Sequence, residues 1–328
     1  MKRREFVTLL GGATMAWPLV ARAQQAAMPV VGYLGSETPE LFATRLAAFR
    51  QGLSSTGYDE GRNVTIVYRW AEGHNDRLPG LAADLVRRRV DVIAAPGSIA
   101  AALAAKAATG TIPVVFETGA DPVTTGLVAS LNKPAGNVTG VSSLNAEVGP
   151  KRLELLYELV PGAVGFALLV NPSNPVNADA TAKSITTAAE TLKLQLHLLK
   201  AGTEAELASA VARARELHLG GLVIGSDTFY ANRSQDLARL VIRYRIPAVH
   251  QSREFAAAGG LMGYGGSIKQ SHSQAGVYTG RVLKGEKPAD LPIQQVTKVE
   301  FVFNLKAAKA LGLNPSSSFL ARADEVIE

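Results

Sequence analysis

The sequence contains no cysteine. A disulfide framework, a thiolate metal site, an iron–sulfur cluster and a cysteine nucleophile are thereby excluded. Histidine is scarce too. His74, His197, His218, His250 and His272 are scattered, and no two have a short metal-ligand spacing. No metal site and no cofactor are expected. Also missing are a G-x-S-x-G elbow, a Walker loop and a dinucleotide fingerprint after a strand. Ser, His and Asp are all present, but no spacing links them into a triad, so the chain is not expected to be an enzyme. Charged residues make up 19% of the 328 positions and hydrophobic ones 47%, too apolar a balance for a disordered chain. The 31 Gly and 16 Pro follow no triplet repeat, which excludes a fibrous protein. The length suffices for two lobes of ordinary domain size.

Residues 1–23 read as an export signal. Lys2, Arg3 and Arg4 form a charged start, an apolar stretch runs from Phe6 to Val20, and Ala21-Arg22-Ala23 is a small-residue cleavage site. Gly11, Gly12 and Pro18 make the apolar run too short and broken for a membrane span. Arg3-Arg4-Glu5-Phe6-Val7 resembles a twin-arginine signal, and the general secretory route stays open beside it. Removing Lys2, Arg3, Arg4 and Arg22 together with Glu5 lowers the formal charge from +6 to +3. That excess gives little reason to expect nucleic acid as a partner. The dense run Arg87-Arg88-Arg89 ends an expected helix, where cations complement the helix dipole.

Apolar runs then alternate with helical patterns. Strands are expected at 30–34, 64–70, 90–94 and 113–116, with helices at 41–53, 78–86 and 99–108 between them. The same grammar restarts at Phe166, with strands at 166–170, 194–199, 222–224 and 246–249 and helices between. Ile112-Pro113 and Ile246-Pro247 each follow a helix and open a strand. This pitch predicts an α/β protein of two doubly wound parallel-sheet lobes joined by a hinge. The expected boundaries are 28–141 plus about 265–295 for the first lobe and 145–262 for the second. Residues 296–328 form a strand and helix segment whose lobe is not readable, with a last strand expected within 319–327.

Ligands of open parallel sheets bind outside the carboxyl ends of the strands. The loops that follow strands therefore supply the candidate ligand-binding residues: Ser36, Glu37, Gly97, Ser98, Thr118, Gly119, Asn171, Asn174, Asp227, Tyr230, Glu254 and Tyr264. Several of these loops open helices, whose unpaired N–H groups suit an anion. Ser98, Asp121 and Asp227 read equally well as helix caps, and Asn171 to Pro175 as a turn. For a zwitterionic ligand, the carboxylate is expected against Ser36, Ser98 and Thr118 of the first lobe. The cation is expected near Asp227, with Tyr230 or Tyr264 covering the apolar part.

Val90 to Val128, Asn137-Val138-Thr139-Gly140-Val141-Ser142, His250 to Gly265 and Asn304 to Leu313 resemble the ABC-transporter substrate-binding proteins of the tryptophan-binding, TrpX-like group. Gln251-Ser252-Arg253-Glu254-Phe255 followed by Gly259-Gly260-Leu261-Met262 is the most specific stretch. The resemblance covers essentially the whole chain after the signal. It implies the type I periplasmic-binding fold, a periplasmic location, a small-molecule ligand and an ABC permease as partner, with the receptor itself a monomer. Ser98 stands where relatives commonly carry Thr, and Gly263 replaces a frequent Ser, so ligand identity is not carried over. The function expected is delivery of a small polar molecule, an amino acid among the candidates, to an importer. A sensor subunit for a membrane kinase or chemoreceptor, and a periplasmic enzyme on the same scaffold, are the alternatives.

Overall fold

The structure is a computed structural model that describes residues 28–143 and 145–328. The expected export signal and cleavage site, residues 1–23, lie outside the described residues. The first sheet is built from β1 (Val30–Gly35), β2 (Thr65–Trp70), β3 (Val92–Pro96), β4 (Val114–Thr118) and β5 (Val138–Ser142), with α1 (Pro39–Ser55), α2 (Leu78–Arg87) and α3 (Ile99–Ala108) between strands. The second lobe begins with α4 (Gly149–Leu159), β6 (Gly165–Val170), α5 (Pro175–Thr191), β7 (Gln195–Lys200) and α6 (Glu204–Glu216). It continues through β8 (Leu222–Ile224), α7 (Thr228–Asn232), α8 (Ser234–Arg243), β9 (Ala248–His250), α9 (Arg253–Ala257) and β10 (Met262–Gly266). The chain then returns to the first lobe for α10 (Ile268–Leu283) and β11 (Gln294–Gln295). It ends on the second with β12 (Val299–Asn304), α11 (Leu305–Leu311), α12 (Ser317–Leu320) and β13 (Glu325–Ile327).

Sheet one has the order β11-β5-β4-β3-β1-β2 and sheet two β13-β12-β10-β9-β8-β6-β7. Pairing is parallel except where β12 runs antiparallel to β10. The fold is α/β with two lobes. Strands β3, β4, β5 and β6 are buried at every residue, as continuous apolar runs with helices on both faces require. Alternate residues of each strand feed opposite cores. Ile93, Ala95, Val114 and Phe116 pack on one side of sheet one, and Val92, Ala94 and Val115 on the other. Phe166, Leu168 and Val223 face one side of sheet two, and Ala167, Leu169 and Ile224 the other.

Two local expectations need correction. Phe319 begins no strand: Ser316 accepts the N–H of Phe319 and caps the short α12, so β13 starts only at Glu325. The pattern running to Tyr244 is not one helix either, because the backbone breaks at Arg233 between α7 and α8.

The lobes are joined at three crossings, after β5, after β10 and after β11. Asn145 ties the first two together. Its Oδ1 accepts the N–H of Gly266 at 2.9 Å, its Nδ2 donates to Ser143 Oγ at 3.1 Å, and its carbonyl accepts from Ser226 Oγ at 2.9 Å. A side chain at Gly265 would strike both Asn145 Oδ1 and the Gln251 carbonyl, so this crossing needs glycine.

Candidate functional site

The carboxyl ends of both sheets meet in one cleft. A partly open cavity of about 40 Å³ lies there. From the first lobe its walls take Gly97 after β3, Glu117 and Thr118 at the end of β4, Gly119, and Arg45 of α1. From the second they take Asn174 and Asn177 of the β6–α5 segment, Ser226, Asp227 and Thr228 after β8, and Gln251 after β9. His272 of α10 completes the wall. This is where a pair of parallel sheets is expected to bind. A second small pocket beside it adds Ser36, Glu37, Ser98 and Asn171. Nine of the twelve candidate residues thus come together: Ser36, Glu37, Gly97, Ser98, Thr118, Gly119, Asn171, Asn174 and Asp227.

The other three do not join them, each for a physical reason. Tyr230 is fully buried in the second-lobe core, where its hydroxyl donates to the Ala201 carbonyl at 2.8 Å. Tyr264 lies on β10 and packs edge-on against Phe301, with ring centroids 5.8 Å apart. Glu254 is exposed in the first turn of α9 and lines an outer groove. Strand-end loops alternate inward and outward, and one sequence does not say which side chain takes which direction.

Several of these groups have hydrogen-bond partners within the protein. Ser98 is spent as the N-cap of α3, accepting from Ala101 N–H at 3.3 Å. Thr118 accepts from Ala120 N–H at 3.1 Å. Asp227 is surrounded by donors: Asn171 Nδ2 and Phe229 N–H on one oxygen, each at 2.9 Å, and Asn174 Nδ2 at 2.9 Å and Asn177 Nδ2 at 3.5 Å on the other. Burial raises its pKa, and those four donors pull the other way. A further buried acid on the first-lobe wall is Glu117, 3% exposed at the end of β4.

His272 stands 3.5 Å from Glu117 through Nδ1, which donates to the Ile268 carbonyl at 2.9 Å. A carbonyl can only accept, so Nδ1 carries the proton. Burial lowers the pKa of this imidazole. Its bare Nε2 and Gln251 Oε1 are buried without a hydrogen-bond partner among the described residues. Buried polar atoms in this state are rare and call for explanation, and a binding site is one place that provides it. Glu117, Asn145, Asn177, Ser226, Gln251 and His272 were not among the candidates. Glu117, Ser226 and Gln251 sit in the strand-end loops already singled out. His272 and Asn177 come from helices whose register toward the cleft is not visible in sequence.

The lobes are closed on one another. Arg233 Nη1 reaches Glu37 Oε2 at 3.3 Å, Asn75 Nδ2 donates to the Ser173 carbonyl at 3.0 Å, and Thr228 Oγ1 donates to the Gly97 carbonyl. Burial raises the pKa of Glu37, outweighing the opposing pull of Arg233. A cavity of about 40 Å³ holds roughly three water molecules. A larger ligand therefore needs the lobes to part. Arg45, Ala231 and Ile268 are shared with an outer groove of about 440 Å³ that also takes Glu40, Gln235 and Lys269. Among the described residues no group of His, Asp and Glu is arranged to hold a metal ion, and no helix is long and apolar enough to cross a membrane.

Two α/β lobes of type I periplasmic-binding architecture, closed on a buried polar cavity at their strand ends, define a cleft-binding protein. The pattern of the family described as ABC transporter substrate binding protein matches residues 37–327, and the chain belongs to that family. It is 27% identical over 271 residues to a tyrosine-binding protein of Clostridioides difficile (strain R20291), covering 82% of this chain and 77% of that one. It is similar in structure to a Streptococcus pneumoniae ABC domain in complex with L-Trp, with a TM-score of 0.82, 25% identity, and 91% and 99% of the two chains covered. Against the ligand-free, open structure of a substrate binding protein with adhesive properties from Clostridium difficile, the TM-score is 0.62 at 22% identity and the same coverage.

Proposed function

We propose that this chain is an exported receptor that closes its two lobes on an amino acid and delivers it to an ABC importer in the inner membrane. One observation carries the reading: a polar cavity is shared by the strand ends of both sheets, with buried Glu117 and Asp227 on its walls and Arg45 between it and the outer groove. Charged groups of both signs suit a zwitterion, whose two ends need different partners. The tyrosine-binding relative and the L-Trp complex support an amino acid as the ligand class. The family's transporter role supports the permease as partner, and the charged, apolar, A-x-A order of residues 1–23 supports export to the periplasm. The site serves binding and release, with no catalytic group assigned.

Isothermal titration of the purified mature chain against the twenty L-amino acids tests this. Saturable one-to-one binding of at least one of them is expected, with the compound recovered unchanged. Failure of all twenty to bind rejects the amino-acid ligand. Chemical conversion of the bound compound rejects the receptor role.

A further inference from the structure

Arg152 on α4 is 1% exposed, and all its hydrogen bonds end on neutral oxygens. Nε donates to the Tyr264 carbonyl at 2.7 Å, Nη1 to Ser226 Oγ at 2.8 Å and Nη2 to Asn145 Oδ1 at 3.4 Å. No carboxylate among the described residues pairs with it. Arg233, by contrast, is paired with Glu37 and Glu204. A buried cation without a counter-charge is strongly disfavoured, and neutral hydrogen bonds offset only part of that. Burial pulls this guanidinium down to about 9, so near neutral pH it stays charged.

Its position gives the charge a use. Ser226 and Asn145 both line the cleft cavity and both accept from Arg152, which is not itself part of the lining. One layer of neutral side chains therefore separates a fixed positive charge from the ligand space. Glu117 stands on the first-lobe wall of the same cavity. The charges at the site are then Arg152, behind Ser226 and Asn145 at the hinge end of the second lobe, and Arg45 on the first-lobe wall, set against the acids Glu117 and Asp227.

We infer that Arg152 is the fixed counter-charge for an anionic group of the bound molecule, a carboxylate, and that it sets the preference of the cleft for the free acid over its carboxamide. The inference rests on the amino-acid function proposed above. It makes Arg152 a positioning residue that acts through Ser226 and Asn145 without touching the ligand. Low local dielectric keeps such a charge effective across one layer of atoms.

The test compares each bound L-amino acid with its carboxamide by calorimetry, in the parent, Arg152→Met and Arg152→Lys. The parent should prefer the acid on the order of 10- to 100-fold, the range of one charge-assisted contact. Arg152→Met should lose most of that ratio, and Arg152→Lys should keep it at pH 6. A buried lysine gives up its proton more readily than arginine. The amide's own amine titrates in this range in every variant, so the readout is the ratio for Arg152→Lys divided by that of the parent at the same pH, which should fall between pH 6 and 8. A purely structural role would weaken acid and amide alike and leave no such pH dependence. If Arg152→Met does not fold, the pH dependence of Arg152→Lys decides alone. An unchanged ratio in Arg152→Met, or one that follows the parent at every pH in a folded Arg152→Lys, overturns the inference and leaves the amino-acid function standing. Binding of no amino acid by the parent overturns both.

Discussion

Asp227 and Asp121 look alike in sequence, each an acid in a loop that opens a helical turn, and the structure separates them. Asp121 is half-buried and accepts from Val123 N–H and Thr124 Oγ1. Asp227 holds Asn171, Asn174 and Asn177 from a different segment. Asp121→Ala should cost about 1 kcal/mol, as a lost cap does. Asp227→Ala should cost about 3 kcal/mol or more, because three buried amides lose their acceptor. Urea melts of the two variants check the order, and equal losses would mean the asparagines find other acceptors. His250 provides a pH test. It is fully buried, its Nδ1 accepts from Ser252 N–H at 3.3 Å, and burial with the nearby Arg152 and Arg45 holds its pKa down to about 3. The unfolded chain binds a proton near the ordinary value of about 6.5. Between those values the unfolded state carries more protons, so stability is present above about 6.5 and is lost as pH falls. Asp227 and Glu37, with raised values, work in the opposite sense at lower pH. Stability should therefore drop between pH 7 and 5 by about 1 kcal/mol per pH unit for this residue. His250→Asn keeps an acceptor for Ser252 and should flatten that slope, as denaturant melts at several pH values would show.

At the scale of elements, strands such as β1, β6 and β8 were legible because they are short apolar runs, and the loops after them could be named from topology alone. β10 was not. Met262-Gly-Tyr-Gly-Gly266 carries no strand pattern, and it is a strand because its glycines let Ser143, Gln251 and Ser252 backbone come close. The return of α10 to the first lobe rests on similar packing. At Gly276 an added methyl would strike the Phe49 carbonyl of α1, and at Gly52 the Ser273 carbonyl of α10. The two helices thus meet nearly backbone to backbone. Gly276→Ala should push them apart and lower stability by about 1–3 kcal/mol through overpacking, despite the better helix propensity of alanine. A variant as stable as the parent would show that α1 can shift without loss. Which face of α10 meets the cleft, and hence the presence of His272 there, follows from this contact. It depends on a helix more than 200 positions away in sequence, which no local pattern encodes.

At the scale of the whole molecule, the closed cleft is held by side chains rather than by an apolar interface. Arg233 is the pivot. Its guanidinium lies 4.0 Å over the Phe229 ring, reaches Glu204 on its own lobe, and crosses to Glu37 on the other. Glu37 is 3% exposed, so removing Arg233 would leave a buried carboxyl without its counter-charge. Asn75 and Thr228 add neutral hydrogen bonds across the same gap. The cleft lies between lobes already in contact, so entry of an amino acid requires them to separate and then close around it. Arg233→Ala removes the charged link while leaving the cavity walls in place. If that link biases the lobes toward closure by about 1–3 kcal/mol, its loss should shift the open-to-closed ratio about ten- to a hundredfold. Small-angle scattering without ligand should then give a larger radius of gyration for Arg233→Ala than for the parent. Saturating amino acid should bring both to the same smaller value. Faster ligand release with little change in association rate should accompany the shift, since the link forms only after the lobes meet. An unchanged radius without ligand would leave the crossings at Asn145, Gly266 and Gln295, not the side chains across the cleft, as what sets the angle between the lobes.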